Sequence, residues 1–202
     1  MAYPDPIRQL ITSFSRLPSV GRRTAERFVF HLLNAGKKDV VELNRSIEEL
    51  IASIRSCQAC WDFSETSPCF YCSDMKRERN ILCIVHEPQD VQAIEKTGKY
   101  KGRYHVIRKM IKVDEEDSLN KTKIRELFVR IEQKDITEVI LALNPDMPGE
   151  TTMLFLEKKI KVIRPDLIIT RLARGLPMGS DLQYADEITL GSAISHRTGV
   201  GK

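Results

Sequence analysis

The chain has 202 residues, enough for one large domain or two small ones. Hydrophobic residues make up 42% and charged residues 30%, a balance that supports a core in a soluble protein. No apolar run approaches the roughly 18 residues of a membrane span, and "MAYPDPIRQLITSFSRL" mixes polar and apolar residues in a way that excludes a signal peptide. A cytoplasmic location is therefore expected. The net charge of +4 is too small to imply a nucleic-acid partner, so its distribution matters more than its total.

In chain order, residues 7–16 read as a short amphipathic helix, with Ile7, Leu10, Ile11 and Phe14 at helical spacing. "RLPSVGRRTAERF" breaks the chain at Pro18 and Gly21 and restarts it, and Thr24 to Leu33 restores the helical period. Residues 39–55 predict another helix, with Val40, Leu43, Ile47, Leu50, Ile51 and Ile54 on one face. After the cysteines of residues 57–72 the texture changes. "ILCIVHE" (81–87) is an apolar run of buried-strand type, "DVQAIEK" a helix, "RYHVI" a strand, 121–134 a helix, "EVILAL" (138–143) a strand, "GETTMLFLEKKI" a helix and "LIITRL" (167–172) a strand. Strands alternating with helices imply a largely parallel sheet covered on both faces. The tail carries turn signals and one short helix candidate. The expected division is a helical domain over 1–56, a cysteine-rich finger over 57–78, an α/β domain over 79–175 and a tail over 176–202.

"CQACWDFSETSPCFYC" holds two Cys-x-x-Cys pairs, Cys57 with Cys60 and Cys69 with Cys72, separated by eight residues. Without a secretion signal, disulfides are not expected. Two such tight turns can each aim two sulfurs at one ion, which points to tetrahedral zinc. Four ligands leave no open position, so the expected role is structural, contributing about 10–16 kcal/mol to folding. Trp61, Phe63, Phe70 and Tyr71 are expected to pack around the knuckle. Cys83 stands apart, in a predicted buried strand, as a small core residue.

"LPSVGRRTA" joins two helices through a Pro–Gly hairpin. Backbone N–H groups at the start of the second helix, after Gly21, form a ready phosphate site. Arg22, Arg23 and Arg27 add charge at the same end, and such contacts position a nucleic-acid backbone without reading its sequence. Residues 96–112 carry seven Lys or Arg and no acid, and "DEED" follows at Asp114 to Asp117. That strip is either a solvated surface or a second place to meet phosphates.

Taken together, these segments resemble one family. "LPSVGRRTAERFVFHLL" is similar to the helix-hairpin-helix of the bacterial recombination mediator family RecR, and "CQAC" with "CFYC" is similar to its four-cysteine zinc finger. "ILCIVHEPQDVQAIEKTGKYKGRYHVI", "ITEVILALNPDMPGETT" and "ITRLARGLPMGSDLQYADEITLGSAI" resemble its Toprim domain and C-terminal tail. The resemblance implies a non-enzymatic DNA-binding clamp in recombinational repair. Such proteins assemble into rings, typically homotetramers, and act with RecO and RecF to load RecA at single-stranded gaps. It places Arg23 and Arg27 where the family contacts DNA. It places Glu150 at the second acid of the usual "EGE", a region linked to RecO. The tail is then an oligomer contact.

The departures bear on chemistry. Toprim enzymes hold magnesium with a Glu after the first strand and an Asp-x-Asp pair after a later one, and magnesium requires clustered oxygens. Here His86–Glu87 follows the first strand and "NPD" the later one, so Asn144 and Asp146 stand where two acids would serve. Pro148 replaces the first acid of "EGE", and "RKMIKVDEEDSLN" stands in place of the family's glycine-rich stretch. His86 reads as a strand-end histidine rather than a ligand. The alternatives are a Toprim-type magnesium-dependent DNA-processing enzyme, which needs the full carboxylate set, and a zinc-ribbon adaptor that forms no ring.

Overall fold

The computed structural model describes residues 3–111, 119–197 and 199; the "DEED" run and Lys112 of the basic strip lie outside them. The chain divides into two compact units, residues 1–54 and 55–202.

The first unit is helical. Helix α1 (Asp5–Phe14) and helix α2 (Arg22–Asn34) pack through Ile11, Ala25 and Val29, with Ile7, Phe14 and Val20 closing over them. The sequence spacing dictates this seam, because positions 7, 11 and 14 share one helical face, as do 25 and 29. Edge-on aromatic pairs, Tyr3 with Phe30 and Phe14 with Phe28, flank it at 5.4 and 5.9 Å between ring centres. The turn runs through Ser19 in the left-handed region (φ 63°), and the Val20 N–H donates to the Leu17 carbonyl. Helix α3 (Lys37–Ser53) starts two residues earlier than the pattern predicts and buries nothing, so Leu43, Ile47, Leu50 and Ile51 of its apolar face are exposed.

The second unit begins with a two-stranded antiparallel ribbon, β1 (Arg55–Ser56) and β2 (Phe63–Ser64), and a single turn, α4 (Phe70–Ser73). A four-stranded parallel sheet follows. Its strands are β3 (Glu78–Val85), β4 (Gly102–Val106), β5 (Glu138–Ala142) and β6 (Ile168–Arg171), in the order β4-β3-β5-β6. Helices α5 (Pro88–Glu95), α6 (Ile124–Ile131) and α7 (Met147–Ile163) connect them, and α8 (Glu187–Ser195) is the last described helix.

Period-two alternation sorts the sheet's side chains. Leu82, Ile84, Val139 and Leu141 face one way and pack with Ile124, Leu127 and Ile131 of α6 and Leu156 and Ile160 of α7. Cys83, Val85, Tyr104, Val106 and Ala142 face the other way, onto Val91 of α5, with Tyr71 of the finger against the same cluster. Each large aliphatic side chain buried here contributes about 1.5–3 kcal/mol relative to exposure. Both faces are covered, as the α/β reading requires. The strand order reverses direction between β3 and β5, and open α/β sheets bind ligands at the carboxyl ends of strands flanking such a reversal.

Candidate metal centre and nucleic-acid interface

The four cysteines converge. Their Sγ atoms lie within 4.8 Å of one another, and none is disulfide-bonded. Cys57, Cys60 and Cys69 are buried and Cys72 is partly so. Local structure aims them. In the first knuckle the Cys57 N–H donates to the Asp62 carbonyl and the Trp61 N–H to the Cys57 carbonyl, both at 2.8 Å, with Trp61 in the left-handed region at φ 66°. In the second, the Cys72 N–H donates to the Cys69 carbonyl at 3.0 Å, so α4 begins at a ligand position. The Cys69 N–H points at Cys57 Sγ, 3.3 Å away, a bond that favours thiolate.

Four thiolates around one ion at about 2.3 Å stand about 3.8 Å apart at tetrahedral angles. The Cys60–Cys69 separation of 3.5 Å matches that spacing. Without a cation the thiols must share protons. Hydrogen bonds from Cys60 and Cys72 hold Cys69 well below the usual thiol range, while the hydrogen bond with Cys69 pushes Cys60 far up. A divalent cation removes this conflict by favouring thiolate at all four. The donor set therefore fits a metal ion. Among the described residues it is the one group of three or more His, Cys, Asp or Glu ligands gathered closely enough to hold one. Cys83 is separate, and burial pushes its thiol up to about 12.

Of the aromatic residues expected around the knuckle, Tyr71 packs there, while Phe63 and Phe70 are exposed. Tyr71 packs on the cysteines and stacks edge-on against Tyr104 at 5.8 Å, joining the finger to the sheet. Arg77 lies over Tyr71, 4.8 Å from its ring centre, and pairs with Glu95 at 2.5 Å; Glu95 also accepts from the Tyr104 hydroxyl at 2.5 Å. Lys123 sits 3.9 Å above the Trp61 ring. Phe70 is 74% exposed.

At the hairpin, Gly21 precedes α2 with extended backbone, and no side chain caps the helix. The first helical bond is from the Ala25 N–H to the Gly21 carbonyl, so the N–H groups of Arg22, Arg23 and Thr24 have no intrahelical acceptor. Arg22, Arg23 and Arg27 are exposed. Arg22 is 3.6 Å from Glu26 and lines a groove with Arg8 and Arg16, the latter a cation that the motif reading passed over. Among the described residues Arg23 and Arg27 make no ion pair. The basic strip is divided: Lys96, Lys99 and Lys101 are exposed, but Arg103 and Arg108 turn inward. Arg108 donates from Nε to the Trp61 carbonyl at 2.6 Å.

At the reversal of the sheet, Glu87 and Asp146 are engaged as helix caps. The Glu87 carboxylate accepts from the first turn of α5 while Asp90 accepts from the Glu87 N–H at 2.8 Å, a reciprocal capping box. Asp146 accepts from the Gly149 N–H at 2.8 Å at the start of α7. Only glycine fits at 149, because a Cβ there would stand 1.9 Å from the Asn144 carbonyl oxygen. Asn144 and Pro148 are exposed, and His86 Nε2 is 3.7 Å from Glu87. Glu150 is ion-paired with Arg174 beyond β6, a partner that no local sequence signal indicates.

Comparison with known proteins gives the lineage. Residues 7–51 match the family model described as RecR, helix-hairpin-helix; residues 80–173 match that of the Toprim domain; residues 175–198 match RecR, C-terminal. The recombination protein RecR of Pelotomaculum thermopropionicum is 44% identical over 195 residues, covering 96% of each chain. That of Staphylococcus aureus strain MRSA252 is 39% identical over 198 residues, covering 98% of this chain and 99% of the relative. With such identity over nearly its whole length, the chain belongs to the RecR family of recombination proteins.

Proposed function

We propose that the chain is a non-enzymatic, sequence-independent DNA-binding clamp of recombinational repair, working in the cytoplasm. The observation that carries this reading is the hairpin. Two exposed arginines that have no acidic partner among the described residues, Arg23 and Arg27, stand beside an uncapped helix start after Gly21, with Arg22 adjacent. Free N–H groups, the positive end of the helix dipole and mobile guanidiniums all favour phosphate. One such patch binds weakly. A homotetrameric ring presents several copies, and their contacts add as avidity. Membership of the RecR family supports the ring and the partners RecO and RecF, with RecA loading at single-stranded gaps as the outcome.

On this reading Cys57, Cys60, Cys69 and Cys72 hold a structural Zn²⁺, which with four ligands has no position for substrate. The helical domain, finger, Toprim domain and tail divide the work at residues 56, 78 and 175. Glu150 contributes to the RecO-binding surface, with Arg174 holding its carboxylate in place. A Toprim-type magnesium-dependent enzyme is the weaker reading, because Glu87 and Asp146 serve as caps and Asn144 replaces a carboxylate.

The test is solution mass with and without circular and linear DNA, at constant protein concentration. A tetramer that is retained on circular DNA and lost from linear ends is expected. A monomer at all concentrations, or magnesium-dependent strand cleavage that disappears in Glu87→Gln, would refute the clamp.

A further inference from the structure

A divalent ion held by four thiolates leaves a net double negative charge on the centre. Where water is largely excluded, such a charge needs an opposing one. Three of the four sulfurs here are buried, and the finger supplies no lysine or arginine between Cys57 and Cys72. The opposing charge must come from elsewhere in the unit.

Two guanidiniums reach the first knuckle from the sheet side. Arg130, on α6, donates from Nη1 to the Ala59 carbonyl at 3.0 Å and to the Tyr104 carbonyl at 2.6 Å. Arg108, just beyond β4 and in the left-handed region at φ 69°, donates to the Trp61 carbonyl and, at 3.1 Å, to Ser56 Oγ. Between them the Val106 N–H donates to the Cys60 carbonyl at 2.8 Å. Three successive knuckle carbonyls, those of Ala59, Cys60 and Trp61, are thus gripped by groups from outside the finger.

The two arginines differ in their electrostatic surroundings. Arg108 has the buried Asp62 nearby and lies 3.7 Å over the Phe63 ring. Arg130 makes no ion pair among the described residues. Burial disfavours its charge, Cys72 and Cys60 favour it, and Arg103, another cation, opposes it. The Nε of Arg103 is itself buried without a hydrogen-bond partner. A partly buried guanidinium held by carbonyls alone is costly to keep charged. Its Nη1 contact with the Ala59 carbonyl, one residue before Cys60, sets it beside the sulfur cluster.

We propose that Arg130 is a positioning residue for the metal centre, supplying its counter-charge and fixing the Ala59 carbonyl of the first knuckle, so that metal occupancy and the docking of the finger on α6 and β4 form one linked equilibrium. This rests on the reading of the cysteines as metal ligands. Linkage makes the coupling reciprocal: the factor by which Arg130 tightens the ion equals the factor by which the ion secures the Arg130 contacts. Metal loss then weakens the Toprim side of the contact as well as the finger.

The experiment is zinc competition against a chromophoric chelator, on the full chain, for wild type, Arg130→Met, Arg130→Gln, Arg130→Lys and Arg125→Met. Arg125 is exposed on the same helix and serves as the control. The neutral variants should bind zinc about 10- to 100-fold more weakly, as outer partners of metal ligands typically do, with Arg130→Lys intermediate and Arg125→Met unchanged. The difference in unfolding midpoint between zinc-loaded and zinc-free protein should shrink in the neutral variants; a purely structural arginine would lower both midpoints equally. Zinc affinity within about threefold of wild type in either neutral variant overturns the proposal, since the expected loss is larger. Absence of stoichiometric zinc in wild type would instead remove the metal reading beneath it, so the two failures are distinguishable.

Discussion

Replacing Arg23 and Arg27 together by alanine should weaken DNA binding similarly across sequences and flatten its dependence on salt. The two residues are four apart on α2, so they share a face, and neither has an acidic partner among the described residues. Each phosphate contact contributes about 0.9 to the slope of log affinity against log salt on duplex DNA and about 0.7 on a single strand. Removing two contacts per engaged subunit should therefore lower the slope by about 1.8 on duplex and about 1.4 on a single strand. Between about 0.05 and 0.2 M salt, wild type should lose about 12-fold more duplex affinity than the variant for each engaged subunit. Arg22→Ala is the internal comparison: its charge is already opposed by Glu26 at 3.6 Å, so its effect should be smaller. Both replaced side chains are exposed, and surface changes of this kind stay within about 0.5 kcal/mol of stability. The assay is a binding titration at several salt concentrations, with solution mass measured on the same samples. An unchanged slope in a folded variant of unchanged mass would refute the hairpin as the phosphate site. The exposed lysines at 96, 99 and 101 would then take its place.

Metal analysis should find one zinc per chain, and chelation should red-shift the fluorescence of Trp61, the single tryptophan, which follows Cys60 directly and lies under Lys123; metal-free protein with unchanged emission would count against the centre. His105 is fully buried, with Nε2 against the Lys123 carbonyl at 2.8 Å, and burial lowers its pKa from 6.5 to about 3. A histidine depressed in this way leaves stability intact above pH 6.5 and removes up to about 1.4 kcal/mol per pH unit below it, so His105→Gln should flatten the loss between pH 6.5 and 4.5 in denaturant unfolding. Asp146→Asn should keep the cap of α7, whereas Asp146→Ala should cost about 1 kcal/mol in the same assay; equal losses in the two variants would mean that the carboxylate charge, and not the cap, is what the site uses.

The parts of this molecule that could be read from the sequence are those whose cause is local. The four cysteines sit within sixteen residues, so tight turns bring them together with little help from distant segments. The sheet follows from short apolar runs that alternate with helical segments, and α2 from its restart after Gly21. Boundaries moved where caps decide them. Helix α7 begins at Met147 because Asp146 accepts from Gly149, two residues before the apolar pattern starts. Helix α3 has the expected face, yet that face alone does not bury the helix within its own unit.

What was hidden depends on contacts between distant parts of the chain. Arg108 meets Trp61 from 47 residues away and Arg130 meets Ala59 from 71, so nothing near either arginine marks it as part of the cysteine centre. Read along the chain, one belongs to a basic strip and the other to an ordinary amphipathic helix. The same logic governs the acids at the reversal of the sheet. Glu87 and Asp146 look like a depleted magnesium site when counted as carboxylates. Counted by hydrogen bonds, each holds the start of a helix, and Gly149 is fixed as glycine by the approach of the Asn144 carbonyl. The end of the sheet where such folds place ligands is thus used here to anchor α5 and α7. Glu150, one turn further along α7, is held by Arg174 from the segment after β6.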